Sequence, residues 1–526
     1  MATLRPALMS DTACAGWEEA TRCGNPRVDN AKAASNTGIV PPAPTPKATM
    51  RAGIWRVEKD IMVVILKAVR GCVVAYVVQS RPSNLLSWGK DSVIGPLKKL
   101  FILHAGSLNN KIWYIRQEAR HTYFESIWHL AFMMVEIYVL RPLVLLAGLI
   151  ASSQAKDIYV SPTGTGSGTS TSPYGSIQSA VNAAVAGDTI LLRAGTYKPT
   201  TNIQITKSGT RTAPITLRSY QKEKVILDGE SLPGTPYGLD ESLPNKERGI
   251  LHIENGNYWK FYNLELINGP YGVYSRDSSH NYYELLSTHD NYESGFQLQG
   301  IASNNTVIYL DSYRNRDPRK NGESADGFAC KEGSGEGNVL RNARLWDNVD
   351  DGLDLFMFGS PVTIEEVYAW GNGFNHWDFT DFNGDGNGFK LGITDNPPAN
   401  HIVRNSMAWG NAKKGFIDNG NPGKLTVERN TAWNNGDNGF NFRSSSSVMT
   451  ANIATKNVNA QVSLTGPVVA SGNSWQVGGD WSDSAFKSVD PSILKGARVA
   501  DGRLPASDFL IPVSGQAIGA TTKQDV

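Results

Sequence analysis

Residues 310–392 read LDSYRNRDPRKNGESADGFACKEGSGEGNVLRNARLWDNVDDGLDLFMFGSPVTIEEVYAWGNGFNHWDFTDFNGDGNGFKLG. In and around this stretch an aromatic residue or His, one further residue and then Asn recur six times. The copies are His289-Asp290-Asn291, Tyr313-Arg314-Asn315, Trp346-Asp347-Asn348, Trp370-Gly371-Asn372, Trp409-Gly410-Asn411 and Trp433-Asn434-Asn435. Their starts lie 24, 33, 24, 39 and 24 residues apart. Gly followed by Phe or Leu comes four residues after the Asn at Gly295, Gly352, Gly415 and Gly439, and later at Gly327 and Gly388. A basal period of 24 residues with two insertions is a solenoid signature. The repeat has no helical apolar stripe, only short β-rich runs between Asn/Gly turns, so each copy predicts one coil of a parallel β-helix. A buried Asn at a fixed turn position can bond to backbone and to the Asn of the next coil. The aromatic and the Phe/Leu positions are both expected to stack inside as a dry core.

Aligning the coils on that Gly gathers residues that are far apart in sequence. The position before it holds Asp326, Asp351, Asn387 and Lys414 in turn, and two positions after it stand Ala329, Asp354, Lys390 and Ile417. Successive coils of a parallel sheet lie about 4.8 Å apart. Asp326 and Asp351 therefore become neighbours, as do Asp354 and Lys390, with Asp350 beside them. Any one Asp before a Gly reads equally well as a turn residue. Four that converge would repel one another strongly unless a hard, oxygen-loving cation sat among them, which predicts Ca²⁺. The spacing is not that of an EF-hand, which needs a contiguous loop ending in Glu. Lys390 taken alone reads as a solvated strand lysine or an ion-pair partner of Asp354. Beside a cation its pKa falls, and a neutral amine can remove the C5 proton of a uronate. Asp378, Asp381, Asp385 and Asp395, near the long insertion, are left without a role. Lys331, Lys413 and Arg443 are candidates to pair with substrate carboxylates.

Composition divides the chain. Residues 1–155 carry 18 Lys/Arg against 10 Asp/Glu, and the remainder 32 against 39. An acidic repeat domain is a poor partner for nucleic acid. Cys330 is the one cysteine beyond residue 155, so the repeats hold no internal disulfide, and the thiol is expected in the core. No Cys/His grouping suggests zinc. Residues 1–132 form an unassigned extension, irregular, with an Ala/Pro/Thr-rich, disordered-looking segment at 30–55 and a weak membrane candidate at Ile61–Val78 broken by Lys67 and Arg70. Residues 133–155 have the form of a signal peptide ending in Ser153-Gln154-Ala155, which fits translation starting at Met133 or Met134. Its apolar run is short of the ~20 residues of a membrane anchor. Residues 156–526 are the β-helix domain, with an amphipathic helix at Ser176–Ala186 capping the open end, regular coils at about 249–465 and a C-terminal cover at 475–520.

The strings ADGFACK at Ala325–Lys331, DNVDDGLD at Asp347–Asp354 and GNGFKLG at Gly386–Gly392 resemble polysaccharide lyase family 9, the pectate lyases with a right-handed parallel β-helix. The resemblance spans roughly residues 156–520 and rests on three separate strings. It implies that Asp326, Asp350, Asp351 and Asp354 bind Ca²⁺ and that Lys390 is the Brønsted base. It further implies Ca²⁺-dependent cleavage of polygalacturonate outside the cell, which by the chemistry above is a β-elimination; no stable membrane association is expected, and the chain is expected to be a monomer. Three rival readings share the fold. A glycoside hydrolase would use an acid and a base or nucleophile and no lysine. A lyase for another uronan, such as alginate, would differ only in substrate. A calcium- or carbohydrate-binding wall protein would bind polymer without turning it over.

Overall fold

From Asp157 onward each turn of the chain lays its strands parallel to those of the turn before. In the computed structural model residues 155–233, 235 and 243–523 are described, together with the backbone of four strands nearer the N-terminus. The chain divides into two units, Met1–Ile137 and Tyr138–Val526.

In the first unit Met50–Val57, Asp60–Val69, Cys72–Ser80 and Phe101–Ala105 pair antiparallel in sequence order. These strands fall within the extension that the sequence leaves unassigned, and the first of them begins inside the segment 30–55. The weak membrane candidate at 61–78 supplies the second and third. Its runs MVVILKAV and CVVAYVV are dense in β-branched residues, which favour strands. Residues 133–154 lie outside the described residues. Among the described residues no helix is long and apolar enough to cross a membrane.

The second unit is a parallel solenoid. One of its sheets has ten strands, running from Ile203–Ile205 through Leu251–Glu254, Val273–Arg276, Phe296–Ile301, Phe328–Ser334, Leu353–Asp354, Phe389–Lys390, Phe416–Ile417 and Phe440–Phe442 to Val462–Leu464. Each strand pairs with its counterpart one coil on. Twenty further strands form the remaining walls. Parallel pairing begins already at Asp157–Val160, ahead of the Asn-marked coils. The helix Ile177–Ala183 closes the end. The Ser176 hydroxyl caps it by accepting from Ser179 N at 3.3 Å, and Ile177, Ala180 and Val181 enter the core.

Two columns explain the repeat. Asn291, Asn315, Asn348, Asn372, Asn411, Asn435 and Asn457 are buried, and the Nδ2 of each donates to the Oδ1 of the next at 2.8–3.0 Å. The in-register Phe296, Phe328, Leu353, Phe389, Phe416 and Phe440 fill the core, with ring centroids 4.4 Å apart at Phe389–Phe416 and 4.9 Å at Phe416–Phe440. The recurring Gly answers to space. A Cβ on Gly352 would lie 2.7 Å from the Gly388 carbonyl oxygen, 2.9 Å from Ala369 Cβ and 2.9 Å from Asn372 Nδ2.

The aromatic column is a correction. Tyr313, Trp346, Trp370 and Trp409 stack at 4.1–5.0 Å, but outside the solenoid. In Tyr368–Trp370, Met407–Trp409 and Thr431–Trp433 the middle Ala faces the core, so strand alternation turns the Trp outward. Residues beyond 475 cover that face: Phe486, Leu494, Phe509 and Leu510 pack on Trp370 and Trp409. Arg344 Nη1 donates to the Leu494 carbonyl at 3.0 Å, and Arg498 Nη2 to Asp311 Oδ1 at 2.7 Å.

Candidate active site

The outward face of the ten-stranded sheet carries the polar residues. Leu353 and Phe389 point inward, so Asp354 and Lys390, one position on, point outward. Register pairs Ala329 with Asp354 and Asp354 with Lys390. At the turn into this sheet the backbone ladder runs Gly327 N to Asp351 O, Gly352 N to Asn387 O, Gly388 N to Lys414 O and Gly415 N to Asn438 O. Asp326, Asp351, Asn387, Lys414 and Asn438 thus form one column. The second insertion closes with Gly373 against Gly386 and lies beside the first, where Asn383 N donates to Asn321 O at 3.0 Å.

Asp326, Asp350, Asp351 and Asp354 are all at most 1% exposed. They form two overlapping triplets. Carboxylate oxygens of Asp326, Asp351 and Asp354 lie within 4.8 Å of one another, as do those of Asp350, Asp351 and Asp385. Lys390 Nζ sits between them, 2.8 Å from Asp385, 3.3 Å from Asp351 and 3.5 Å from Asp354. Lys331 Nζ bridges Asp326 at 2.7 Å and Asp354 at 2.9 Å. The backbone orients the acids: Asp350 Oδ1 accepts from Asp385 N at 2.6 Å, Asp351 Oδ1 from Asn387 N at 2.7 Å, and Asp354 Oδ1 from Phe356 N at 2.9 Å. Asp326 Oδ1 and Asp351 Oδ2 are buried and accept no hydrogen bond.

Burial sets the protonation. It pushes Asp326 up to about 6 and Asp351 to about 7, against the pull of Lys331 and Lys390 respectively. Burial, then Asp351 and Asp326, drive Asp350 well above the carboxylate range. For Asp354 burial acts upward too, but Lys331 and Lys390 outweigh it and hold its carboxyl low. Burial would lower Lys390, yet Asp354, Asp351, Asp350 and Asp385 together raise it. Lys331 is raised well above its ordinary value by Asp326 and Asp354, against burial.

A donor set made only of carboxylate oxygens, two of them buried without a hydrogen bond, suits a hard divalent cation. Lys331 lies inside this cluster rather than along a groove. Lys413 and Arg443 are exposed, on coils beyond Lys390. Cys330 is buried in the core, and burial raises its thiol. Sequence reasoning assigned no role to Asp385, Asn387 or Ser294. Ser294 Oγ donates to Asp326 Oδ2 at 3.1 Å, and Ser294 stands just before Gly295. It is thus the first member of the column that holds Asp326, so carrying the Gly alignment one coil back finds it.

Comparison with known proteins agrees with this architecture. Residues 158–459 match the family described as Pel9A-like, right handed beta helix region. Pectate lyase PEL9 of Emericella nidulans is 58% identical over 397 residues, covering 72% of this chain and 97% of that protein. Pectate lyase L of Dickeya chrysanthemi is 37% identical over 380 residues, covering 70% and 86%. The crystal structure of pectate lyase Pel9A superposes with a TM-score of 0.60 at 34% identity, covering 71% of this chain and 94% of that one. With its parallel coils, its buried acids and these relatives, the chain belongs to the Pel9A-like right-handed β-helix family of pectate lyases.

Proposed function

We propose that the protein is a secreted, calcium-dependent pectate lyase that cleaves α-1,4-polygalacturonate by β-elimination. The observation that carries this reading is an amine, Lys390, set among four buried carboxylates on the outward face of the sheet. Asp326, Asp350, Asp351 and Asp354 are the residues that would hold Ca²⁺. When bound, the ion supplies positive charge that neutralises these acids, holds a uronate carboxylate and acidifies the adjacent C5–H.

Lys390 does the proton transfer. Asp354, Asp351 and Asp350, the three carboxylates that raise its pKa most, are among those the cation would neutralise, so the amine would lose its proton more readily in the loaded enzyme. Nζ takes the C5 proton, the C5 electrons form the C4=C5 double bond, and the C4–O bond breaks with its electron pair leaving on the glycosidic oxygen. Asp385 and Asn387 hold Lys390 and Asp351 in place. Secretion is supported by the signal-like form of residues 133–155, and the relatives named as pectate lyases support the substrate. The test is polygalacturonate with Ca²⁺ and then with a chelator, following the absorbance of the unsaturated uronate. Absorbance that grows and stops on chelation is expected. Reducing ends released without absorbance would mean hydrolysis, and binding without any product would mean a wall-binding protein.

A further inference from the structure

The coil three turns beyond Asp351 and Asp354 repeats their arrangement with amides. Asp351-Gly352-Leu353-Asp354 corresponds to Asn438-Gly439-Phe440-Asn441. Asn438 stands in the turn column with Asp326, Asp351 and Lys414, its carbonyl accepting from Gly415 N at 3.0 Å. Asn441 stands in the strand column: Asp354 pairs with Lys390, Lys390 with Ile417 and Ile417 with Asn441. Phe440 and Phe442 face the core, so Asn441 between them faces outward with Asp354 and Lys390. Asn438 is 5% and Asn441 6% exposed, and the Oδ1 atoms of both are buried with no hydrogen-bond partner.

A buried amide oxygen without a partner destabilises the fold, because it has given up water and gained nothing in exchange. Nearly every other buried Asn of the coils escapes that cost through the ladder. The Oδ1 atoms of these two do not, and the two residues lie three positions apart in one coil. Arg443, two residues past Asn441 in the bend that follows the strand, is exposed.

We infer that Asn438 and Asn441, with Arg443, form a distal subsite for one uronate unit of the polymer being cleaved. The two amides would exchange hydrogen bonds with sugar hydroxyls, and the guanidinium would pair with the carboxylate. Two coils of about 4.8 Å place this subsite roughly 10 Å from Lys390 along the solenoid axis. A chain lying along the sheet thus reaches it while its scissile unit is at Lys390. With amides in place of acids the subsite needs no cation. This inference rests on the function proposed above.

The test measures binding of defined galacturonate oligomers, with Ca²⁺, by calorimetry in a Lys390→Ala background that leaves the substrate intact. Adding Asn438→Ala and Asn441→Ala together is expected to weaken long oligomers about tenfold, as two lost hydrogen bonds imply, with a loss that grows with oligomer length. In the Lys390 enzyme the same pair raises KM for polymer with kcat held. Arg443→Ala, an exposed change with little risk to folding, weakens binding in the same direction. Calcium affinity, three coils away, serves as the check on folding and stays unchanged. If the enzyme cleaves polygalacturonate while neither the double variant nor Arg443→Ala alters KM or oligomer affinity, the subsite is refuted and the proposed function stands. If the wild-type chain neither cleaves nor binds polygalacturonate at any calcium concentration, both fail.

Discussion

Replacing Lys390 by Ala and by Arg separates a base from a structural cation. Lys390 Nζ lies 3.3 Å from Asp351 and 3.5 Å from Asp354, and its side chain is 11% exposed. Each such pair amounts to on the order of 4–5 kcal/mol of gross Coulomb attraction at an effective dielectric of about 20, before desolvation is subtracted. That attraction belongs to the metal-free cluster, where the ammonium would compete with the proposed Ca²⁺ for the same oxygens. Lys390→Ala therefore keeps or tightens calcium affinity. It removes the only proton acceptor assigned to C5, and a positioned general base is worth about 10²–10⁴ in rate, so kcat falls by at least that factor. Lys390→Arg keeps the positive charge, but a guanidinium stays protonated, so kcat falls as far. The assay is initial-rate absorbance on polygalacturonate at saturating Ca²⁺, paired with calcium titration calorimetry on each variant. An Arg variant within tenfold of wild type refutes the base assignment. An Ala variant that no longer binds Ca²⁺ shows that the lysine holds the cluster together instead.

Calcium affinity is expected to tighten as pH rises from about 5 through about 7, because Asp326 and Asp351 hold protons up to about 6 and about 7, and Asp350 is raised as well, so that binding must displace them; calorimetry at several pH values giving a flat profile would exclude this. The same two groups bind more protons folded than unfolded between about 4 and 7. In the chelated protein they make folding less favourable as pH rises through that window, readable in melts. Asn372→Ala removes an amide that accepts twice from Asn348 and donates to Leu345 O and Asn411 Oδ1, and should cost about 3 kcal/mol or more in urea unfolding. A cost under about 1 kcal/mol would mean that the ladder is solvated. Trp409→Ala, which strips a buried ring stacked 4.8 Å from Trp370 and edge-on to Phe509 at 5.3 Å, should cost about 3–5 kcal/mol and expose residues beyond 475 to protease. Unchanged proteolysis there would show that other contacts hold the cover.

The sequence by itself determined the coil, because the repeat is local. Asn, Gly and Phe recur at fixed offsets, each doing one job per turn, and the offset alone says which residues become vertical neighbours. That was enough to place Asp354 beside Lys390, 36 positions further along the chain. It also put a helix at Ser176–Ala186 over the open end, where the structure has one at Ile177–Ala183. Facing was a different matter. The Trp column and the Phe column have the same period, so periodicity does not tell which lies inside. The small Ala between Tyr368 and Trp370 turned out to be the core residue, and the Trp needs residues beyond 475, without any repeat, to cover it. The antiparallel strands nearer the N-terminus were missed because they carry no repeat at all. The ion pairs were likewise a tertiary decision. Lys331 bridges Asp326 and Asp354 because its side chain reaches across the sheet face, and Asp385 meets Lys390 because the insertion folds back at Gly373 and Gly386. A repeat fixes where backbones stack; which way a side chain turns, and which loop closes over it, depends on the contacts that only the assembled solenoid provides.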